Sequence, residues 1–409
     1  MKKYTHKEVV MNIKLNTFLG HLWRFLSAVT DWRTHLRVVR GRPILDVVFI
    51  TNMRDEVDRK NFLGNWRPKC GHFNGPRYWY KGVAGRTRAL DITAEELYTS
   101  EGRKKARKLF IEACKWADKR GVRVVLLAAS TKRLFNGGKK LKEMFPHLVF
   151  TIGDNGTDLV LKEETLQALE KAKLNSEHSK IAVIGPYGFL GETMVSHLLQ
   201  EGYNVTGIGP NTNLLSQVTE KYQIQTFSDL ESAGKFDAVI ACTHSEKVRI
   251  NAENVDLLRK DGQKLLLIDV AEPSNMRRSE FLKVKDKVVR IDSGNAYSPN
   301  LKYVLGAITY KMFRLSRGVT FGCFAETLTL GRAIKLGMPV YMVNWFQVNE
   351  ENMRLTKLLF SQDKKGFRVP SPRNYSQRVE SFDLSLNHPK TEQIRRIPQI
   401  VEKIASFMF

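Results

Sequence analysis

Gly185-Pro186-Tyr187-Gly188-Phe189-Leu190-Gly191 follows the apolar run Lys180-Ile181-Ala182-Val183-Ile184 and leads into a helical pattern. No other stretch of this chain restricts its fold so strongly. A β-branched run, glycines at three-residue spacing and then a helix form the backbone that a pyrophosphate needs. The glycines let the chain approach closely, and the helix start presents N–H groups that have no partner within the helix. The spacing is G-x-x-G-x-x-G, a variant of the commoner fingerprint, and alone it is weak evidence, because such turns also serve tight packing without a ligand. Its surroundings strengthen it. Apolar runs at 202–208, 237–242 and 264–269 alternate with helical segments, which predicts an α/β chain with a Rossmann-like, doubly wound parallel sheet that binds a dinucleotide.

The predicted cofactor contacts are Gly185, Tyr187, Gly188, Phe189, Leu190 and Gly191. The second strand ends in Gly209-Pro210-Asn211-Thr212-Asn213, where an NAD site usually carries an acid for the ribose hydroxyls. With no acid there, Asn211, Thr212 and Asn213 are candidate donors to a 2′-phosphate, and NADPH is favoured. No arginine accompanies them, so NADH stays open. Thr243 and His244 follow the strand that ends at Cys242, and loops at the carboxyl ends of parallel strands line the cofactor crevice. Thr243 is therefore a candidate cofactor contact. For His244, catalysis and a solvated loop position are both open.

Upstream, strands predicted at 44–50, 122–127 and 148–152 and a helix over 101–120 indicate an N-terminal α/β domain over residues 43–174. The polar stretch 174–179 is the predicted linker, the dinucleotide domain covers 175–298, and a C-terminal helical extension with a basic tail occupies 299–409. Residues 363–374 are rich in loop formers and predict an exposed loop.

Sixty-six Lys and Arg against 42 Asp and Glu leave a net charge of +24, which attracts polyanions without choosing among them. No helix-turn-helix, zinc-finger or aromatic RNA-binding motif accompanies the charge, so nucleic acid is not an expected partner. Cys70, Cys114, Cys242 and Cys323 lie far apart without a C-x-x-C pair, which predicts neither a disulfide framework nor a metal site and suits a reducing cytoplasm. No apolar run is long enough to span a bilayer. Residues 1–42 form a basic amphipathic arm of net charge +7, in which Leu15, Phe18, Leu19, Leu22, Trp23, Leu26, Val29 and Leu36 recur at helical spacing. Two readings stand: peripheral contact with a membrane surface, or a helix packed on its own domain.

Thr320-Phe321-Gly322-Cys323-Phe324-Ala325-Glu326 resembles a segment of the long-chain fatty acyl-ACP reductases, cyanobacterial enzymes that make fatty aldehydes and carry a cysteine in a near-identical F-x-C-F-A-E context. Further matches in the same order are the glycine turn, Ile268-Asp269 with Pro273-Ser274-Asn275, and Phe150-Thr151-Ile152-Gly153 with Thr157. The resemblance covers about residues 150 to 335 and does not extend to the arm or past residue 340. It implies that Cys323 attacks a fatty acyl thioester, carried by acyl carrier protein or coenzyme A, and that NADPH reduces the acyl-enzyme to an aldehyde.

The residues themselves allow this chemistry. A thiolate exchanges readily with a thioester and then departs from the hemithioacetal. Cys323 opens a helical pattern, where nearby backbone N–H groups favour the thiolate, and those of Phe324 and Ala325 can hold an oxyanion. Read without the resemblance, Cys323 is a small buried hydrophobe of the core. Glu326 shares its helix face and either orients the thiol or makes an ordinary cap or ion pair. Arg103, Lys104, Lys105, Arg107 and Lys108 form a basic helix face that suits an acidic carrier protein or simply faces solvent. Two other functions remain open: a dehydrogenase without covalent catalysis acting on a small polar substrate, and a non-enzymatic dinucleotide-binding protein on membranes.

Overall fold

The computed structural model describes residue 18 and residues 20–312, 315–362 and 365–386. The expectations for Leu15, Leu19, the 363–364 pair and the chain past 386 fall outside them.

In chain order, a helical stretch over 20–29 and α1 (Trp32–Val39) lead into β1 (Val47–Met53), β2 (His72–Tyr80), β3 (Val83–Thr93), α2 (Ser100–Asp118), β4 (Val124–Leu127) and β5 (Val149–Thr151). Helix α3 (Asp154–Lys171) then runs to β6 (Lys180–Ile184), α4 (Phe189–Gln200), β7 (Asn204–Ile208), α5 (Thr212–Tyr222), β8 (Gln225–Phe227), β9 (Ala238–Ala241), β10 (Leu265–Asp269) and β11 (Val288–Asp292). The chain continues through β12 (Asn295–Tyr297), β13 (Leu301–Tyr303), β14 (Val319–Phe321), α6 (Gly322–Lys335), α7 (Glu350–Ser361), β15 (Arg373–Asn374) and β16 (Gln377–Arg378).

Two large sheets result, ordered β13-β2-β3-β1-β4-β5 and β16-β15-β11-β10-β9-β6-β7-β8, and β12 pairs with β14 in a two-stranded ribbon. Strands β1, β4, β6, β9 and β10 lie inside their sheets and read as near-continuous apolar runs, as strands covered on both faces must. From β8 to β11 the second sheet is parallel, with its order reversing between β6 and β9. This is the doubly wound Rossmann arrangement, whose ligand crevice opens at that reversal.

The sequence pattern does not mark the β2–β3 hairpin. Its strands bury polar side chains, which breaks the alternation a strand normally shows. Each is supplied with partners: Arg88 Nε donates to His72 Nδ1 at 2.6 Å and its Nη1 to Asn74 Oδ1 at 2.5 Å, while Arg77 pairs with Asp31 at 2.5 Å. The turn between the strands is Lys81-Gly82, both at positive φ, as a two-residue hairpin turn requires. Helix α2 fits its prediction: Ala106, Phe110, Ala113, Cys114 and Ala117 form its buried face, and the Thr99 hydroxyl caps its start. Two of its basic residues are engaged with nearby carbonyls, Arg103 with Tyr98 O at 2.7 Å and Arg107 with Leu134 O at 2.8 Å.

Helix α3 joins the two halves. Its first turns meet α6, and Leu161, Ala168 and Leu169 pack in the core of the second sheet, so a helix crosses the join ahead of the polar stretch 174–179. The C-terminal part contributes α6 and α7, and also strands that extend both sheets: β13 on the first, β15 and β16 on the second. Strand β15 lies at the end of the predicted loop and β16 just beyond it.

Asp31 anchors the arm. Its buried carboxylate caps α1 through the Thr34 amide, accepts the Trp79 indole N–H at 3.2 Å and pairs with buried Arg77. Substitution Asp31→Ala leaves the Arg77 guanidinium buried beside an empty position. Breaking such a pair costs roughly 3–5 kcal/mol. Urea unfolding should show a loss of that order.

Candidate active site

The carboxyl ends of both sheets face one another. Arg54, just after β1, pairs with Glu272, just after β10, at 2.7 Å. Beyond β6, β9, β10 and β11 the chain continues into Gly185, Cys242-Thr243-His244, Val270 and Ser293-Gly294, held in register by backbone hydrogen bonds of 2.8–3.1 Å. On the opposing side, the ends of β4 and β5 lead into the turn carrying Lys132 and into the start of α3.

Within the glycine turn the three glycines have different duties. Gly185 has φ +83°, and a Cβ there would lie 2.9 Å from Thr243 Cβ; a Cβ at Gly191 would sit 2.0 Å from Gly185 O. Both are demanded by the fold. A Cβ at Gly188 would meet only Gly185 O, at an ordinary 3.5 Å, and no side chain caps the α4 start there. Open space over an uncapped twelve-residue helix is what a pyrophosphate occupies, so the residues present fit a dinucleotide. Phe189 is exposed and Leu190 half-buried beside it. Tyr187 covers Gly209, and its hydroxyl accepts from the Asn211 amide. Asn211 caps α5 by accepting from the Leu214 amide at 3.1 Å, which commits its carbonyl oxygen; Thr212 and Asn213 are exposed beside it.

Thr243 packs on Gly185, and its carbonyl accepts from the buried Asn275 amide at 2.8 Å. Asn275 is held in turn by Asp269, whose carboxylate accepts the Ala271, Asn275 and Met276 amides and pairs with Arg290 at 2.9 Å. The segment from Asp269 to Asn275 therefore shapes the crevice loop. His244 is half-buried; burial, then the Arg249 and Arg133 guanidinium groups, hold its imidazole below the usual range. Arg133 lies in the turn after β4 of the other sheet, so His244 lies where the two halves meet.

Two motifs about 170 residues apart come together at Cys323. Gly153, at φ +73°, lies so close that a Cβ would fall 2.3 Å from Cys323 Cβ. A Cβ on Gly156 would be 2.6 Å from Gly322 O, and one on Gly322 the same distance from Thr157 Cα. The Gly322 amide donates to Gly294 O at 2.8 Å, which sets the start of α6 on the rim of the dinucleotide domain. Fully buried Glu326 locks the contact, accepting from the Thr151 hydroxyl and from the Gly156 amide at 2.7 Å. Burial pushes its carboxyl up to about 7.

Cys323 is in the first turn of α6 and half-buried, with the Phe324 N–H directed at its sulfur. The expected thiolate character is corrected by the structure: burial outweighs both that N–H and the Lys132 charge, and pushes the thiol up to about 12. Lys132 and Asp154 are the residues the sequence reading missed. Thr131, hydrogen-bonded to Ala128 O, fixes the turn after β4, and Lys132 Nζ reaches Asp154 Oδ1 at 2.6 Å. Asp154 Oδ2 and Asn155 Oδ1 are buried without a protein partner. Position after a strand end was the available signal. An open recess of about 770 Å³ between the far end of α3 and residues 369–384 contains none of these groups.

The profile of the family described as Shikimate / quinate 5-dehydrogenase matches residues 167–292, under a third of the chain. That match supports the dinucleotide domain, not the whole protein. Among solved structures, the nucleotide-binding domain of glutamyl-tRNA reductase from Thermoplasma volcanium is 21% identical over 32% of this chain and 84% of that one, with a TM-score of 0.25. Shikimate dehydrogenase from Aquifex aeolicus is 13% identical, covering 60% and 86%, with a TM-score of 0.32. L-tryptophan dehydrogenase from Nostoc punctiforme is 10% identical, covering 76% and 89%, with a TM-score of 0.35. Likenesses this low carry no argument about activity. No curated protein matches the chain.

Two outcomes follow. Gly188→Asp places a carboxylate where the pyrophosphate would lie, without a packing clash; fluorescence titration should show NADPH binding weakened about tenfold or more, some 1.4 kcal/mol, with the unfolding midpoint retained. Glu326 holds in the native state a proton that the unfolded chain releases, so its contribution to stability falls as pH rises from 4.5 towards about 7. Glu326→Gln should therefore reduce the loss of unfolding free energy between pH 5 and pH 7 by roughly 2 kcal/mol, read by urea titration at each pH.

Proposed function

We propose that this chain is an NAD(P)H-dependent oxidoreductase acting on a carbonyl carbon held between the two sheets. One observation carries the reading: an uncapped glycine turn on one side of the cleft, and the Lys132–Asp154 pair beside Cys323 on the other. A bound nicotinamide supplies hydride. In the non-covalent form of the reaction, Lys132 donates a proton to the carbonyl oxygen, and Asp154, at 2.6 Å, aims it. The unpartnered oxygens of Asp154 and Asn155 can accept from hydroxyl groups of a small polar substrate. The match of residues 167–292 to the shikimate and quinate dehydrogenase profile supports this form.

A second reading is favoured by the Phe324 N–H on the Cys323 sulfur. Here Cys323 exchanges with a fatty acyl thioester: a carbon–sulfur bond forms to the enzyme, the bond to the donor thiol breaks, and the cysteine proton leaves with that thiol. Hydride delivered to the acyl carbon then breaks the carbon–sulfur bond to the enzyme, releasing the aldehyde and the cysteine thiolate, which takes up a proton from solvent. Acyl carrier protein or coenzyme A is the carrier in this form, and the absence of an acid after β7 favours NADPH in both.

Intact mass after incubation with long-chain acyl-CoA, without cofactor, distinguishes them. The non-covalent form predicts no adduct, NADP reduction with shikimate or quinate as probes, a loss of about 10² in rate for Lys132→Met, and full activity in Cys323→Ala. An acyl adduct that Cys323→Ala abolishes establishes the covalent form. Failure to bind NADPH overturns both.

A further inference from the structure

We infer that residue 18 and residues 20–39 form a docking surface for an anionic lipid bilayer, an inference independent of the reaction proposed above. The helical stretch over 20–29 is apolar on two sides. Trp23 and Ser27 face the protein and are buried, and Asp31 fastens the next turn to Arg77. Phe18, Leu22, Phe25, Leu26 and Val29 recur at spacings of three and four, which places them together on the opposite side, and all are exposed, with Trp32 continuing the stripe. Nine of the 21 exposed large apolar side chains among the described residues fall in this short segment, so the exposure is concentrated rather than scattered. A helix that only packs on its own domain turns its polar side outward; this one turns Phe25 outward at 64% exposure and Val29 at 57%.

The charge around the stripe selects the occupant. Arg40 and Arg42 are exposed at its end, Arg33 is half-buried over the Trp32 ring, and residues 1–42 carry a net +7. Trp66, 42% exposed, meets the His21 ring edge-on at 5.7 Å, with exposed Arg67 and Lys69 next to it. Arg24 and Arg37 are occupied, by Phe62 O and by Asp46. Aromatic and aliphatic side chains rimmed by cations match the boundary between acyl chains and anionic headgroups. Two copies placed face to face would oppose like charges. Among the described residues no helix is long and apolar enough to cross a membrane, so the contact lies on the surface.

The test uses the full chain and flotation with phosphatidylcholine vesicles, with and without phosphatidylglycerol, at low and high salt. Binding is expected only with phosphatidylglycerol and should weaken in salt. The double substitution Phe25→Asp with Val29→Asp, at exposed positions that leave the buried face intact, should weaken binding about tenfold or more. Leu282→Asp, an exposed leucine elsewhere, should not change it. Failure of the wild-type chain to float with anionic vesicles overturns the proposal, as does equal flotation of the double variant. Dimerisation that the double variant abolishes, without vesicle binding, assigns the face to a second copy and overturns it as well.

Discussion

Backbone contact between the starts of α3 and α6 organises this molecule. Gly153, Gly156 and Gly322 let two helices approach at distances no side chain would permit, and Glu326 fastens them through Thr151 and the Gly156 amide. Because α3 also reaches α4, where Asp158 accepts from Thr193 at 2.6 Å and meets His197 at 3.1 Å, the same helix carries the position of Cys323 to the nucleotide turn. A shift at one end is transmitted to the other through packed backbone, which deforms little.

Burying charge at this junction has chemical consequences. Glu326 and Cys323 both lose solvent, and both move towards their neutral forms. Lys132 and Asp154 are paired beside them at 2.6 Å. Burial holds the Cys323 thiol towards its neutral form.

How much was legible depended on where each residue's partners lay. Strands β4, β6, β9 and β10 could be read because central parallel strands are apolar throughout, and β6 could be placed because the glycines after it are needed locally. Strands β2 and β3 could not, since His72, Arg77 and Arg88 look like surface residues until Asn74 and Asp31 are brought to them. Strands β13, β15 and β16 are two or three residues long, too short for periodicity to show. Lys132 and Asp154 escaped notice for a related reason: neither belongs to a spaced motif, and their pairing exists only across a fold.

From its sequence alone this chain had to form a doubly wound sheet with a glycine turn at its crevice, because strand hydrophobicity and glycine stereochemistry act over a few neighbouring residues. It also carried a cysteine in a first helical turn. The protonation of that cysteine, its lysine–aspartate neighbours and the outward apolar side of the arm were decided by tertiary structure. Desolvation and ion pairing depend on which distant segments meet, and no local pattern encodes that.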